Sequence, residues 1–211
     1  MADGRRYDAD ASRAAILDAA ERLFMDKGFA ATSVSALAKA AGVTKSLIHH
    51  HFGSKEALWT AVKQSMFAEF HEQQMQMLRS AEADDALLEN SFLLYFRFLR
   101  AQPNLLRLKS WMALEPSEEN SCEELDFELM ALGVKRIAEG QASGTVRSDI
   151  PAAYILTCFL GLVEVWFSNA MARPALMAGG HLAPDQPQQE LDEQFAKHAI
   201  RLFFEGVRPR E

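Results

Sequence analysis

Between Thr32 and Lys55 the chain reads TSVSALAKAAGVTKSLIHHHFGSK, and the residues best suited to contact chemistry are concentrated there. Two short stretches with helical periodicity flank Gly42, where the missing Cβ suits a tight turn. Leu37, Ala38 and Ala41 would face inward on the first stretch. Val43 would pack back, and Ile48 and Phe52 would anchor the second. Thr44, Lys45, Ser46, Leu47, His49 and His50 are then left outward: short polar donors, one cation and one apolar tip, sized to enter a DNA major groove. This is the layout of a helix-turn-helix. Thr32 and Ser33 stand at the start of the first stretch, where free backbone N–H groups and the helix dipole favour a phosphate. Lys55, in the first turn of the following helix, is placed to reach a phosphodiester backbone.

Two other readings of this window were weighed. His49, His50 and His51 suggest a metal, but successive helical residues splay by roughly 100°, so the three rings cannot converge on one ion. No metal is expected. The second concerns charge. The whole chain of 211 residues carries 22 Lys and Arg against 29 Asp and Glu, a net −7 that argues against a nucleic-acid partner. Its distribution argues the other way. Residues 1–63 hold nine basic and seven acidic residues, and the remainder 13 and 22. Residues 27–55 contain Lys27, Lys39, Lys45 and Lys55 and no acid at all. An alanine-rich packed unit with few charges of any kind would account for that blandly; a face kept free of repulsion with phosphates accounts for it functionally.

The elements that must position these residues are helical. Composition is ordinary, 49% hydrophobic and 24% charged, and strand signals are missing. Apolar residues recur at helical spacing from about Ser12 to Lys27, with Gly28 as a stop. A long helix should open at Ser54 and run to about Arg79. Others should span about Asp84 or Asp85 to Arg100, Pro103 to Leu114 with Pro116 closing it, a stretch from SEENSCEEL to Gln141, Pro151 to Met171, and Gln189 to Gly206. Pro174, Gly179, Gly180, Pro184 and Pro187 mark residues 173–189 as a loop. The expected fold is all-α, with about nine helices: a helix-turn-helix domain over residues 1–53 and a helical domain over 54–211. The two cysteines, Cys122 and Cys158, make neither a disulfide scaffold nor a Cys-rich zinc site. The first residues do not form a secretory signal. The longest apolar run, residues 155–167, is shorter than the ~20 residues of a bilayer span, so no membrane is expected. These features suit a soluble cytoplasmic chain.

The C-terminal part is rich in aromatic residues. Phe67, Phe70, Phe92, Phe96, Trp111 and Phe159 sit at helical spacing, where core packing is the plain reading. Phe92, Phe96 and Leu99 form one stripe while Tyr95 and Phe98 lie on other faces, so that helix must be covered all round or border a cavity. With Cys158 and Leu162, these aromatics are the candidates to line a pocket for an apolar or aromatic small molecule. Cys158 is also read as a packed apolar residue. Glu164 and Arg97 are charged residues inside apolar runs. Each would be paired, sit at an interface, contact ligand, or be exposed. Leu191, Phe195, Ala199, Leu202 and Phe203 repeat along the last helix, which with the apolar helix before it would form a four-helix bundle with a second copy.

From about Ser12 to Trp59 the chain resembles the TetR-type family of bacterial transcriptional regulators. The resemblance covers ILDAAERLFMDKGFAATSVSALAKAAGVTKSLIHHHFGSKEAL without a gap, including the LF-x-x-x-G-F ending of the first helix and the trailing HF-x-x-K-E-x-L. It implies a three-helix DNA-binding domain and a C-terminal domain that binds effectors and dimerises. By position, it puts Thr44, Lys45, Ser46 and Leu47 at the bases and gives Thr32, Ser33, His51 and Lys55 to phosphates. His49 stands where the family usually has a backbone-touching tyrosine, which makes that contact weaker or pH-dependent. The expectation is a homodimeric regulator, a repressor released from a palindromic operator by an apolar or aromatic effector, with no cofactor. An enzyme is disfavoured, since no Ser/His/Asp layout, His-x-x-x-His pair or Gly-rich phosphate loop is present. A helical ligand carrier is the third alternative.

Overall fold

The computed structural model describes residues 2–80, 85–114, 122–168, 172–182 and 186–209. All its regular elements are α-helices: α1 (Ala2–Lys27), α2 (Val34–Ala41), α3 (Lys45–Phe52), α4 (Lys55–Ser80), α5 (Asp85–Ala101), α6 (Pro103–Leu114), α7 (Cys122–Ser143), α8 (Ala152–Ser168), α9 (Ala172–Ala178) and α10 (Gln188–Val207). They fall into two compact units. The first holds residues 1–69 and 107–125, the second 70–106 and 126–211. The helix α4 therefore supplies residues to both.

In the first unit α1 buries Ile16, Ala19, Ala20 and Phe24, the inward stripe of its apolar rhythm. Leu37 and Ala38 of α2, Ile48 of α3, and Leu58, Trp59 and Val62 of α4 complete this core. Phe24, Phe29 and Trp59 form an aromatic triad, with centroids 5.0 Å apart for Phe24–Trp59, 5.8 Å for Phe24–Phe29 and 5.7 Å for Phe29–Trp59. Burying a ring of this size contributes roughly 1.5–3 kcal/mol.

The second unit is built on α5, α8 and α10. Phe92, Phe96 and Leu99 of α5 are buried with Ile155, Leu156, Phe159 and Val163 of α8. The helix α10 adds Leu191, Ala196, Ala199, Phe204 and Val207. Ring contacts run through it: Phe92 meets Phe159 edge-on at 5.5 Å, Phe96 meets Phe195 at 6.1 Å, and Trp166 stacks on Phe195 at 4.1 Å. Asp192, only 4% exposed, accepts hydrogen bonds from Trp166 Nε1 at 2.8 Å and Gln188 Nε2 at 2.7 Å. These bonds offset the desolvation of its carboxylate. Arg147, in the α7–α8 connection, donates to the carbonyls of Val207 (2.8 Å, from its backbone) and Gly206 (3.0 Å), which caps the C-terminal end of α10.

Two expectations about the elements are corrected. The first helix begins at Ala2 and not near Ser12; the apolar rhythm marks where a helix is packed, not where its backbone starts. Residues 172–178, read as loop, form α9. Pro174 falls in its first turn, where a missing N–H costs nothing, and Ala, Leu and Met carry the helix on until Gly180 turns left-handed at φ 72°. Asp84 and Pro116, nominated as helix boundaries, lie outside the described residues.

Candidate functional site

The helix-turn-helix is assembled by local caps. Ser33 is the N-cap of α2 and its hydroxyl accepts from Ala36 N at 3.2 Å. Thr44 does the same for α3, accepting from Leu47 N at 3.2 Å. Such caps stabilise a helix start by about 1 kcal/mol. Gly42 closes α2 at φ 67°, and Val43 N returns to Ala38 O at 3.0 Å. Only Gly adopts that left-handed turn cheaply. With Ile48 buried beneath it, α3 presents Lys45, Ser46, His49 and His50 as exposed residues and Leu47 as a half-buried one. Thr44, Ser46, Leu47 and His50 line one surface depression together with Gly42, Val43 and Ser12 of α1. No acid lines it. His49 Nδ1 donates to Gly53 O at 2.8 Å, so the ring closes the C-terminal end of α3.

The residues nominated for phosphates separate. Ser33 is exposed at the start of α2. Thr32 is 1% exposed, and its hydroxyl donates to Gly28 O at 2.8 Å and Leu23 O at 3.3 Å. That side chain closes the α1–α2 turn and faces away from any ligand, which corrects its nomination. His51 is half-buried with Nε2 sealed from solvent, because its position on α3 turns it toward Phe52 and away from the outward row. Lys55 Nζ donates to Phe29 O at 3.0 Å and Thr32 O at 3.2 Å, and lies 4.1 Å from the Phe29 ring centroid. Its ammonium is occupied inside the head.

The nominated pocket residues separate as well. Phe70, Phe92, Phe96 and Phe159 belong to one ring network of the second unit, in which Phe70 stacks on Phe98 at 4.5 Å and touches Tyr95 at 5.4 Å. Leu162 is half-buried on α8. Glu164 accepts a 2.5 Å hydrogen bond from Tyr95 OH, a short charge-assisted contact. Phe67 and Trp111 fall in the first unit instead. Trp111 lies against Gly28, where a Cβ would meet its ring at 3.0 Å, so it seals the α1–α2 turn and is not a partner of Phe92. Cys158 is exposed, which corrects its reading as a packed residue. Arg97 is exposed and lines a groove of about 440 Å³ between α5 and α10 with Leu93, Phe96, Arg100, Lys197 and Ile200.

Sequence reasoning missed Asp192 and the carbonyl partners of Lys55. An acid among polar neighbours in QQELDEQ carries no local sign of burial; its contact with Trp166, 26 residues away, exists only in the folded chain. One outward pattern was also missed. Tyr154, Cys158 and Val165 are exposed on one face of α8, at i, i+4 and i+11, and Leu202 of α10 is 71% exposed. Among the described residues no group of His, Cys, Asp and Glu could hold a metal ion, and no helix is long and apolar enough to cross a membrane.

Comparison with known proteins places this geometry. Residues 16–62 match the model of the bacterial regulatory proteins of the tetR family, and residues 94–194 that of the tetracyclin repressor-like C-terminal domain. The transcriptional repressor NicS of Pseudomonas putida is 26% identical over 181 residues, covering 82% of this chain and 84% of NicS. ArpR, a probable transcriptional regulator of Pseudomonas putida, is 38% identical over 82 residues, 39% of this chain and only 37% of ArpR. A TetR family regulator from Marinobacter aquaeolei VT8 superposes with a TM-score of 0.69 at 20% identity, over 98% of this chain and 100% of that one. AibR, solved with isovaleryl coenzyme A and operator DNA, superposes with a TM-score of 0.69 at 20% identity, over 92% and 98%. The capped helix-turn-helix, the all-helical body behind it and both family matches agree: this chain belongs to the TetR family of DNA-binding transcriptional regulators and is not an enzyme.

Proposed function

We propose that the protein is a homodimeric repressor that binds a palindromic operator and is released by an apolar or aromatic small molecule. The observation that carries the reading is the chemistry of the outward residues. The exposed side of α3 is polar and cationic, with Thr44, Lys45, Ser46 and Leu47 as the base-reading set and Ser33 and His49 as backbone contacts. Thr32, His51 and Lys55 support that surface from inside. The outward face of α8, by contrast, is apolar at Tyr154, Cys158 and Val165. An apolar stripe on α8 together with Leu202 on α10 is the kind of surface a second copy covers, and a two-fold dimer presents two recognition helices to two half-sites about 34–36 Å apart.

The effector reading rests on the second unit's ring network, where Phe70, Phe92, Phe96, Phe159 and Leu162 supply apolar surface and the Tyr95–Glu164 pair supplies a polar mark. NicS is called a repressor, and AibR was solved with a small acyl thioester and DNA. Both names favour repression and ligand control here. An effector that binds better to a dimer with its recognition helices set wrongly for DNA shifts the population off the operator, and α4, which gives residues to both units, is the connection it would act through. The place of action is the cytoplasm, where the operator is. The test is retardation of a duplex enriched from a random pool, repeated with a panel of apolar and aromatic compounds. Salt-sensitive retardation that one compound class abolishes supports the reading. Retardation that no compound changes leaves a regulator without this effector class.

A further inference from the structure

We propose that Lys55 is a positioning residue for DNA binding: a latch that ties the α1–α2 turn to the first residue of α4, with its ammonium held inside the protein and not on a phosphate. Four contacts converge on this side chain. Its Nζ reaches Phe29 O at 3.0 Å and Thr32 O at 3.2 Å, two carbonyls 26 and 23 residues earlier in the chain. It lies 4.1 Å from the centroid of the Phe29 ring. That ring is itself fixed against Phe24 and Trp59, so the cation rests on a rigid aromatic support. The turn it grips is closed on itself, since Thr32 N donates to Phe29 O at 3.2 Å and the Thr32 hydroxyl to Gly28 O at 2.8 Å. The next residue, Ser33, is the N-cap of α2.

The consequence is geometric. Phe29 and Thr32 carry α2 at a fixed offset, and Lys55 begins α4, so the latch sets where the helix-turn-helix starts relative to the first turn of α4. An ammonium has three donors. Two serve these carbonyls in charge-assisted bonds, and the face toward Phe29 is covered. Moving to a phosphate would break this set and leave both carbonyls without their partner. Lysine suits the task better than arginine, because a compact charge on a flexible stem can sit between two carbonyls while a planar fork cannot.

The test uses the full chain, with affinity measured across a salt series on a 30-base-pair duplex enriched from a random pool by the wild-type protein. For a latch, Lys55→Met retains a folded protein, weakens binding about 10- to 30-fold, and leaves the slope of log K against log salt unchanged. Lys55→Arg should resemble Lys55→Met. Hydrogen exchange without DNA should be faster at the Ala36 and Leu37 amides, which close onto Ser33. This arm needs no DNA, so it separates failure of the latch from failure of the DNA reading. If Lys55→Met does not fold, Lys55→Gln, which reaches a single carbonyl, carries the same readouts. A slope shallower by about 0.9 with Lys55→Arg binding like wild type would establish a phosphate contact and overturn the proposal. So would unchanged affinity and exchange in Lys55→Met.

Discussion

The helices α3 and α8 solve opposite problems. The short α3 buries one residue, Ile48, and leaves a polar, cationic outside. The longer α8 buries Ile155, Leu156, Phe159 and Val163 and still shows Tyr154, Cys158 and Val165 to solvent. A helix that is polar outside is finished as a surface and waits for a polar, charged partner. A helix that is apolar on both sides is not finished until something covers it. Outward chemistry thus separates the two kinds of partner, which the net charge of −7 obscures.

The largest predicted effect comes from spoiling the α8 face. Tyr154→Asp with Val165→Asp should turn a dimer into a monomer in light scattering and weaken operator binding about 100- to 10,000-fold, because the two half-sites are no longer engaged together. A dimer that survives this change would remove the contrast between the two helices. Lys45→Ala should do the reverse. It should leave the dimer intact and cost about 1–3 kcal/mol of discrimination at the bases it reads, measured as altered preference across single-base operator variants. Uniform weakening across all of them would instead make Lys45 a backbone contact.

Two smaller effects sharpen the account within the head. Gly42→Ala should cost about 1–2 kcal/mol in denaturant unfolding, from the left-handed backbone alone, since nothing lies within 4 Å of the new Cβ. Gly28→Ala should cost more, because it adds a 3.0 Å approach to Trp111 to the same kind of strain. Equal costs would mean that Trp111 gives way freely. The smallest effect is at Glu56, in the first turn of α4. A backbone hydrogen bond, then the Ser54 hydroxyl, hold its carboxyl below the ordinary value of 4.5. A depressed folded value means that its contribution is present above about pH 4.5 and fades as pH falls through the lower value. The stability difference between wild type and Glu56→Gln should therefore be constant near neutrality and shrink in acid, as followed by urea melts at several pH values.

How legible each part was follows from the range of the interactions involved. The helix-turn-helix could be read because Ser33, Gly42 and Thr44 act on neighbours three or four residues away. Most helix spans could be read for the same reason. The failures are long-range. Thr32 looks like a surface hydroxyl until Gly28 and Leu23 are seen to take it. Trp111 looks like a pocket wall until it is found against Gly28. Cys158 carries no sign of which side of an apolar helix faces out, since both sides are apolar. Lys55 had a credible phosphate role by position, and only the approach of two carbonyls from the α1–α2 turn changes its reading.

The central claim is that the polar outside of α3 and the apolar outside of α8 together make a two-fold DNA reader. Enrichment of random duplexes by the purified protein, followed by measurement of the mass of the bound complex, tests it directly. The account predicts an inverted repeat with half-site centres one or a whole number of helical turns apart, bound by an even number of subunits. A single unrepeated site held by one subunit, or no enrichment of any sequence, would contradict it.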